Sequence, residues 1–241
     1  MLIVDQLSVE RAGVRTLSEV SLSLDVGRTL AVVGESGAGK STLLAAILGL
    51  LKPSTGRVSW HGEAVRRCRP ALVMQEPRAA FNPVMRLRQS VLEPVVASGL
   101  PMNAARLASL CERLELPFEL LERRPYEVSI GQAQRFGILR ALINAPPLVL
   151  FDEPLSALDA VTQKHTARLI ADLQAEYGFA ALIVTHDLGY AAACSDEIAV
   201  LRNGSIEEVT EAADFVARPK SAYGAQLRDA AIALGAVEAR A

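Results

Sequence analysis

Leu30-Ala31-Val32-Val33-Gly34-Glu35-Ser36-Gly37-Ala38-Gly39-Lys40-Ser41 decides the fold. Four consecutive apolar residues read as a strand buried on both faces. A glycine-rich turn follows, and Ser41 to Leu51 has helix-forming composition until Pro53-Ser54-Thr55-Gly56 ends it. A strand, a Gly-x-x-x-x-Gly-Lys-Ser turn and a helix in that order make a phosphate-binding loop. Its glycines let the backbone wrap an anion with N–H groups pointing inward, and the helix N-terminus adds a favourable dipole. Gly34, Glu35, Ser36, Gly37, Ala38, Gly39, Lys40, Ser41 and Thr42 are therefore the expected nucleotide-binding residues. Lys40 is expected to reach the β- and γ-phosphates, and the Ser41 hydroxyl to bind Mg²⁺.

A second strand delivers acid to the same end of a sheet. Leu148-Val149-Leu150-Phe151 is apolar throughout and runs into Asp152-Glu153. Ligands of open α/β sheets sit at the C-terminal ends of the strands. Asp152 there is expected to hold the Mg²⁺ shell, and Glu153 to position and polarise the attacking water. Ala180 to Thr185 and Ile198 to Arg202 read as two more buried strands. Asn203-Gly204 then turns the chain into a strand-like Ser205 to Val209.

Outward from this core the texture changes twice. Leu2 to Val9 and Val20 to Val26 alternate apolar and polar residues, which is antiparallel strand character, and Val58-Ser59-Trp60 reads as another short strand. From about Glu76 to Asn144 strands disappear and Ala, Leu, Arg and Glu recur in helical spacing, as in Ala104 to Leu116, until Pro146-Pro147 closes the stretch. Ala160 to Tyr177 is an amphipathic helix ended by Gly178, and the Ala-rich tail from Glu211 reads as helical with weak order at its end. The expected fold class is α/β, a P-loop NTPase core with a mostly parallel sheet, an N-terminal antiparallel β region and a helical subdomain. A single domain over 1–241 is expected. Within it, 1–75 and 148–210 form the nucleotide-binding core with the β region, 76–147 the helical subdomain, and 211–241 the C-terminal tail.

Composition sets limits. The chain has 241 residues, 51% hydrophobic and 22% charged, with a formal charge of −2. That balance is ordinary globular usage and gives no footprint for nucleic acid. The longest apolar run, Leu43 to Leu51, falls well short of the roughly 18 residues of a membrane span. Asp5 and the lack of a basic start followed by an apolar run argue against a secretory signal. Cys68, Cys111 and Cys194 show neither metal-ligand nor disulfide spacing, which suits a reducing cytoplasm.

One more run narrows the class. Val128-Ser129-Ile130-Gly131-Gln132 lies between the phosphate loop and the acidic strand. With Gln75, Ser156-Ala157-Leu158-Asp159 and Ile183-Val184-Thr185-His186-Asp187, it completes six ordered motifs over about residues 2 to 230. Together they resemble the ATP-binding cassette (ABC) ATPases. The resemblance implies the ABC ATPase fold, with ATP and Mg²⁺ as cofactors. It implies Glu153, His186 and Gln75 as catalytic residues, and Ser41, Gln75 and Asp152 around the Mg²⁺. Asp159 matches the family's D-loop and also suits the cap of the following helix. Ser129, Ile130, Gly131 and Gln132 match the signature, which covers the γ-phosphate bound to a second, facing ATPase chain. A helix beginning near Gly131 and running to Asn144 would offer orphan N–H groups to that anion.

Two departures stand out. Ile130 replaces the family's usual Gly. A branched side chain crowds a close backbone approach and forbids positive φ. The site completed by this chain is thus expected to be the weaker of a pair, unless the loop relaxes and activity is ordinary. Near Arg11 the family often stacks an aromatic residue on adenine, and Val9-Glu10-Arg11-Ala12 has none. Arg11 either stacks by its guanidinium plane or base stacking is weak.

Gln75-Glu76-Pro77-Arg78-Ala79-Ala80-Phe81-Asn82-Pro83 and Arg218-Pro219-Lys220-Ser221-Ala222-Tyr223-Gly224-Ala225-Gln226-Leu227 resemble the peptide and nickel importer branch. That branch implies a motor subunit for uptake of peptides, nickel or metal–chelator complexes. Its partners would be a second ATPase chain (a heterodimer, or else a homodimer), two transmembrane permease subunits and, indirectly, an extracytoplasmic binding protein. It implies no nucleic acid, and it places the chain at the cytoplasmic face of the inner membrane. The alternatives are a non-transport ATPase of a soluble complex of the phosphonate-breakdown type, or a hydrolysis-poor ATP clamp.

Overall fold

The computed structural model describes residues 1–237; the end of the tail lies outside the described residues. Two sheets carry the chain. The first pairs β1 (Leu2–Arg11), β2 (Val14–Leu24), β4 (Thr55–Trp60) and β5 (Glu63–Ala64) in the antiparallel order β2-β1-β4-β5. Its first turn is Ala12-Gly13, with φ of 50° and 78°, the left-handed pair that matches the twist of a two-residue hairpin.

The second sheet positions the site. It contains β3 (Thr29–Val33), β6 (Ala71–Val73), β7 (Leu148–Asp152), β8 (Ala180–Thr185), β9 (Glu197–Arg202) and β10 (Ser205–Glu211). Their order is β10-β9-β3-β8-β7-β6, parallel except for the β9–β10 hairpin. Val33 registers with Thr185, and Asp152 with Val184. The ends of β3, β7 and β8 therefore bring Gly34, Glu153 and His186 to one edge.

The strand interior is apolar because both faces are covered. Leu148 and Leu150 face a core shared with α1 (Lys40–Ile47) and the antiparallel sheet. Val149 and Phe151 face the opposite core, as the period of two requires. That opposite core is continuous with α2 (Leu87–Ser98), α3 (Ala104–Arg113), α4 (Ile130–Leu142) and α5 (Ala160–Tyr177). A third cluster joins Ala31, Val33, Ile198 and Val200 to α6 (Leu188–Cys194), α7 (Ala212–Ala217) and α8 (Ala222–Ala233). β3 to β9 thus form the layered α/β architecture expected, with helices between strands and an antiparallel sheet at the start of the chain.

The expected boundaries hold closely where local chemistry decides them. α5 runs from the Asp159 cap to Gly178, whose φ of 65° ends it. β2 begins at Val14, not Val20. β6 was not read as a strand at all; it has three residues and pairs only with β7. α4 begins at Ile130, one residue earlier than expected.

Candidate functional site

The phosphate loop links β3 to α1 and folds under two geometric demands. Gly39 sits at φ 109°, where a Cβ would come 2.8 Å from Leu17 Cδ2. A Cβ on Gly34 would run into the backbone carbonyl of Leu201. Neighbouring chain excludes a side chain at both positions, and at Gly39 the left-handed dihedral angle does so as well. Lys40, only 6% exposed, donates from Nζ to the carbonyls of Gly34 (2.7 Å) and Glu35 (3.1 Å). Burial pushes its pKa down, while Glu153 and then Asp152 oppose that shift.

Glu153 gathers the opposite wall. Its φ is 43°, a left-handed conformation rare for a side chain of this size. Its backbone N–H donates to Val184 O at 2.9 Å, which fixes it beside β8. One carboxylate oxygen lies 3.9 Å from Lys40 Nζ. The other accepts from Gln75 Nε2 at 3.3 Å and lies 3.1 Å from His186 Nδ1. Three residues from three separate stretches of chain thus converge on the Glu153 carboxylate. Asp152 stands beside them with its pKa pushed up, first by burial and then by Glu153; Lys40 and a hydrogen bond from Ser41 pull it back.

These groups line a cleft of about 900 Å³. Ser36, Gly37, Gly39, Lys40, Ser41, Thr42, Gln75, Glu153 and His186 form its wall, whereas Gly34, Glu35, Ala38 and Asp152 do not line it. Arg11 does not line it; it is exposed on β1 before the hairpin turn. Val14, Arg15 and Thr16, just past that turn, line the cleft instead. Asn203 and Gly204 also line it and were not anticipated. Gly204 N donates to Ala38 O at 2.9 Å and Gly204 O accepts from Ser18 N at 2.8 Å, so this turn locks the phosphate loop to β2. The Asn-Gly pair signalled a turn, but nothing local signalled where the turn would dock.

Among the described residues no group of three or more His, Cys, Asp and Glu could hold a metal. The oxygens of Ser41, Gln75 and Asp152 do suit Mg²⁺. They are hard ligands, and the half-buried Asp152 carboxylate gains from a cation beside it.

Ser129, Ile130, Gly131 and Gln132 line no part of the cleft. They open α4 through a capping box: Ser129 Oγ accepts from Gln132 N at 3.1 Å, and Gln132 Oε1 accepts from Ser129 N at 2.9 Å. Ile130 is the first helical residue and has no positive φ. The expected backbone conflict is therefore absent, because a branched residue suits this conformation. Its side chain is 44% exposed. Gly131 packs against α5, where an added Cβ would lie 2.8 Å from Thr162 Cγ2. Asp159 is exposed and caps α5 through Val161 N (3.1 Å), Thr162 N (3.0 Å) and Thr162 Oγ1 (2.7 Å). These bonds hold its carboxyl below the usual range.

Comparison with known proteins settles the family. The family model described as "ABC transporter" matches residues 17–156, more than half of the chain. The chain belongs to the ABC transporter family. Among curated ABC proteins it is 36% identical over 209 residues to the oligopeptide transport ATP-binding protein OppF of Haemophilus influenzae, covering 81% of this chain. It spans 63% of the length of that relative. It is 34% identical over 225 residues to a putative peptide import ATP-binding protein of Brucella ovis, covering 88% of this chain and 71% of the relative. A solved dimeric cassette in a post-hydrolysis state with ADP and Pi superposes with a TM-score of 0.77 at 26% identity, over 88% of this chain and 99% of that one. The solved cbiO1 from Clostridium perfringens gives a TM-score of 0.81 over 98% of both chains, and at 24% identity it speaks for the fold alone. The fold is that of an ABC ATPase cassette.

Proposed function

We propose that this chain is the ATP-hydrolysing motor of an ABC importer for peptides. The observation that carries the reading is the convergence of Lys40, Gln75 and His186 on Glu153 in the cleft above the phosphate loop. Peptides are favoured as cargo because relatives at 34–36% identity are named for peptide import. Nickel and metal–chelator complexes remain the other cargo of the branch that the sequence resembles.

The chemistry follows from the residues. The N–H groups of the Gly34–Ser41 loop and Lys40 bind the ATP phosphates; Lys40 leaves the carbonyls of Gly34 and Glu35 for the stronger anionic partner. Val14, Arg15 and Thr16 receive the base. Glu153 takes the proton of the attacking water, and the His186 imidazole orients that water and the γ-phosphate. Ser41, Gln75 and Asp152 would hold Mg²⁺, which when bound offsets charge on the β- and γ-phosphates. Gln75, touching Glu153 from outside the core, senses whether the site is filled.

Residues 1–75 and 148–210 act as the nucleotide-binding core, 76–147 as a moving helical subdomain, and 211–241 as a tail. Ser129 to Gln132 line no part of this chain's own cleft and serve the ATP of a facing ATPase chain, so two chains close on nucleotide. A groove of about 630 Å³ between β6, α2 and α4, walled by Leu72, Met74, Ala80, Ala97 and Leu100, suits a helix of the permease. Met74 and Leu100 are 42% and 52% exposed there, which favours a permease over a soluble complex as the partner. Among the described residues no helix is long and apolar enough to cross a membrane; attachment to the cytoplasmic face is through the permease.

The test is phosphate release by the chain with its adjacent ATPase and permease. Turnover that needs these partners and falls in Glu153→Gln supports the motor. Turnover indifferent to Glu153→Gln in the full assembly replaces it with the ATP-dependent clamp.

A further inference from the structure

The peptide unit joining Val128 to Ser129 is held from both sides. Its N–H donates to Gln132 Oε1 at 2.9 Å, within the capping box of α4. Its carbonyl accepts from Arg78 Nη2 at 2.7 Å, and Arg78 lies fifty residues away. The Arg78 guanidinium also sits 5.5 Å from the Tyr126 ring centroid, over the turn that leads into Val128. Its Nε is buried and has no partner among the described residues, so the side chain gives up solvation to make this contact. The same segment is tied to α4 a second time, since Arg140 donates to the Ala80 carbonyl and stacks 5.9 Å from the Phe81 ring.

Arg78 is three residues beyond Gln75, whose amide donates to Glu153 at 3.3 Å. Three residues span at most about 11 Å, and the buried Pro77 between them stiffens the link. One short segment therefore touches the carboxylate of the chain's own cleft at one end and the Ser129 peptide at the other. A shift of Gln75 on filling of the cleft has only this short, stiffened link to cross before it reaches the Arg78 contact.

We propose that Arg78 is a positioning residue for Ser129. It carries the state of this chain's cleft, through Gln75, to the donors that the chain presents to a facing chain. The inference rests on the reading of the Gly34–Ser41 cleft as an ATP site. It assigns Arg78 no contact with nucleotide. A lysine at 78 could still donate to the carbonyl, whereas a methionine could not.

The experiment is hydrogen–deuterium exchange on the full chain in a Glu153→Gln background, with and without saturating Mg·ATP. It is run at a concentration where the chain sediments as a monomer. Peptides covering 36–44 and 128–133 report the two sites separately. With Arg78 present, ATP protects 36–44 and changes exchange in 128–133 about tenfold. Arg78→Met is expected to keep the first response and lose the second, and Arg78→Lys to restore part of it. An ATP response in 128–133 that survives Arg78→Met overturns the proposal. So does an unsubstituted chain in which ATP protects 36–44 and leaves 128–133 unchanged. Absence of protection at 36–44 instead overturns the ATP reading itself, and the coupling with it.

Discussion

Around Lys40 the polar groups turn inward on one another, whereas around Ser129 they close a local helix cap that lines no part of the cleft. Lys40, Gln75, Glu153 and His186 arrive from four stretches of chain and meet within 4 Å of one carboxylate. Ser129 and Gln132 each cap the other's backbone N–H at the start of α4, outside the cleft. The first region is gathered from one chain, whereas the second lines no part of that chain's cleft. That contrast is the structural argument for a paired ATPase.

The largest expected effect lies in the first region. Glu153→Gln should lower kcat by about 10²- to 10⁴-fold while ATP still binds, the span expected for loss of a general base; single-turnover phosphate release with a parallel nucleotide-binding titration separates the two. Lys40→Ala should then weaken ATP binding by about 10- to 100-fold through loss of a charged donor to phosphate, measured by calorimetry. An unchanged Kd would mean that the backbone loop alone holds the anion.

The second region should respond differently. Ser129→Ala removes the cap of α4 and is expected to cost about 1 kcal/mol, visible as a melting shift of about 2–4 °C. It should leave the monomer's ATP affinity unchanged and lower turnover only in the paired state. Ile130→Gly sharpens the same contrast. The helical backbone at 130 gains nothing from glycine's freedom and loses up to about 1 kcal/mol of helix propensity. Any rise in paired turnover then reports relief of side-chain crowding toward the facing nucleotide, and no rise means that the exposed Ile130 side chain is accommodated.

The smallest effect is electrostatic. The folded pKa of Asp152 is raised by burial and by Glu153. Its stabilising contribution is therefore fully present below the unfolded carboxylate pKa and is lost as pH rises through the folded one. The folded pKa of Lys40 is lowered, so its contribution is present above its unfolded pKa and lost as pH falls through the folded one. Near neutrality both groups oppose folding of the nucleotide-free chain. Asp152→Asn should raise its melting temperature at pH 7, with a gain that shrinks on acidification into the carboxylate range. A gain independent of pH would contradict the burial argument.

The sequence reveals the parts whose signal is local. β8 is six apolar or β-branched residues buried throughout, and α5 carries its own cap and stop. The phosphate loop is legible because Gly, Lys and Ser at fixed spacing are the binding geometry itself. What was hidden depends on docking. β6 has too few residues to show a period. The cleft takes Val14 to Thr16 and not Arg11 because the Ala12-Gly13 turn redirects the chain before it reaches the loop. Arg78 reads as an ordinary surface charge until Val128 is folded beside it. The expected backbone conflict at Ile130 is absent for a related reason: only the fold shows that position 130 is already helical, and side-chain crowding toward a facing nucleotide is what Ile130→Gly tests.

The most direct test of the paired motor is ATP turnover at increasing chain concentration, alone and with the adjacent ATPase and permease, beside Glu153→Gln and Ser129→Ala. The account predicts a rate per chain that rises with pairing and falls in both variants, with Glu153→Gln the more severe. A rate per chain independent of concentration and partners, unaffected by Ser129→Ala, would contradict it by showing that one chain completes its own site.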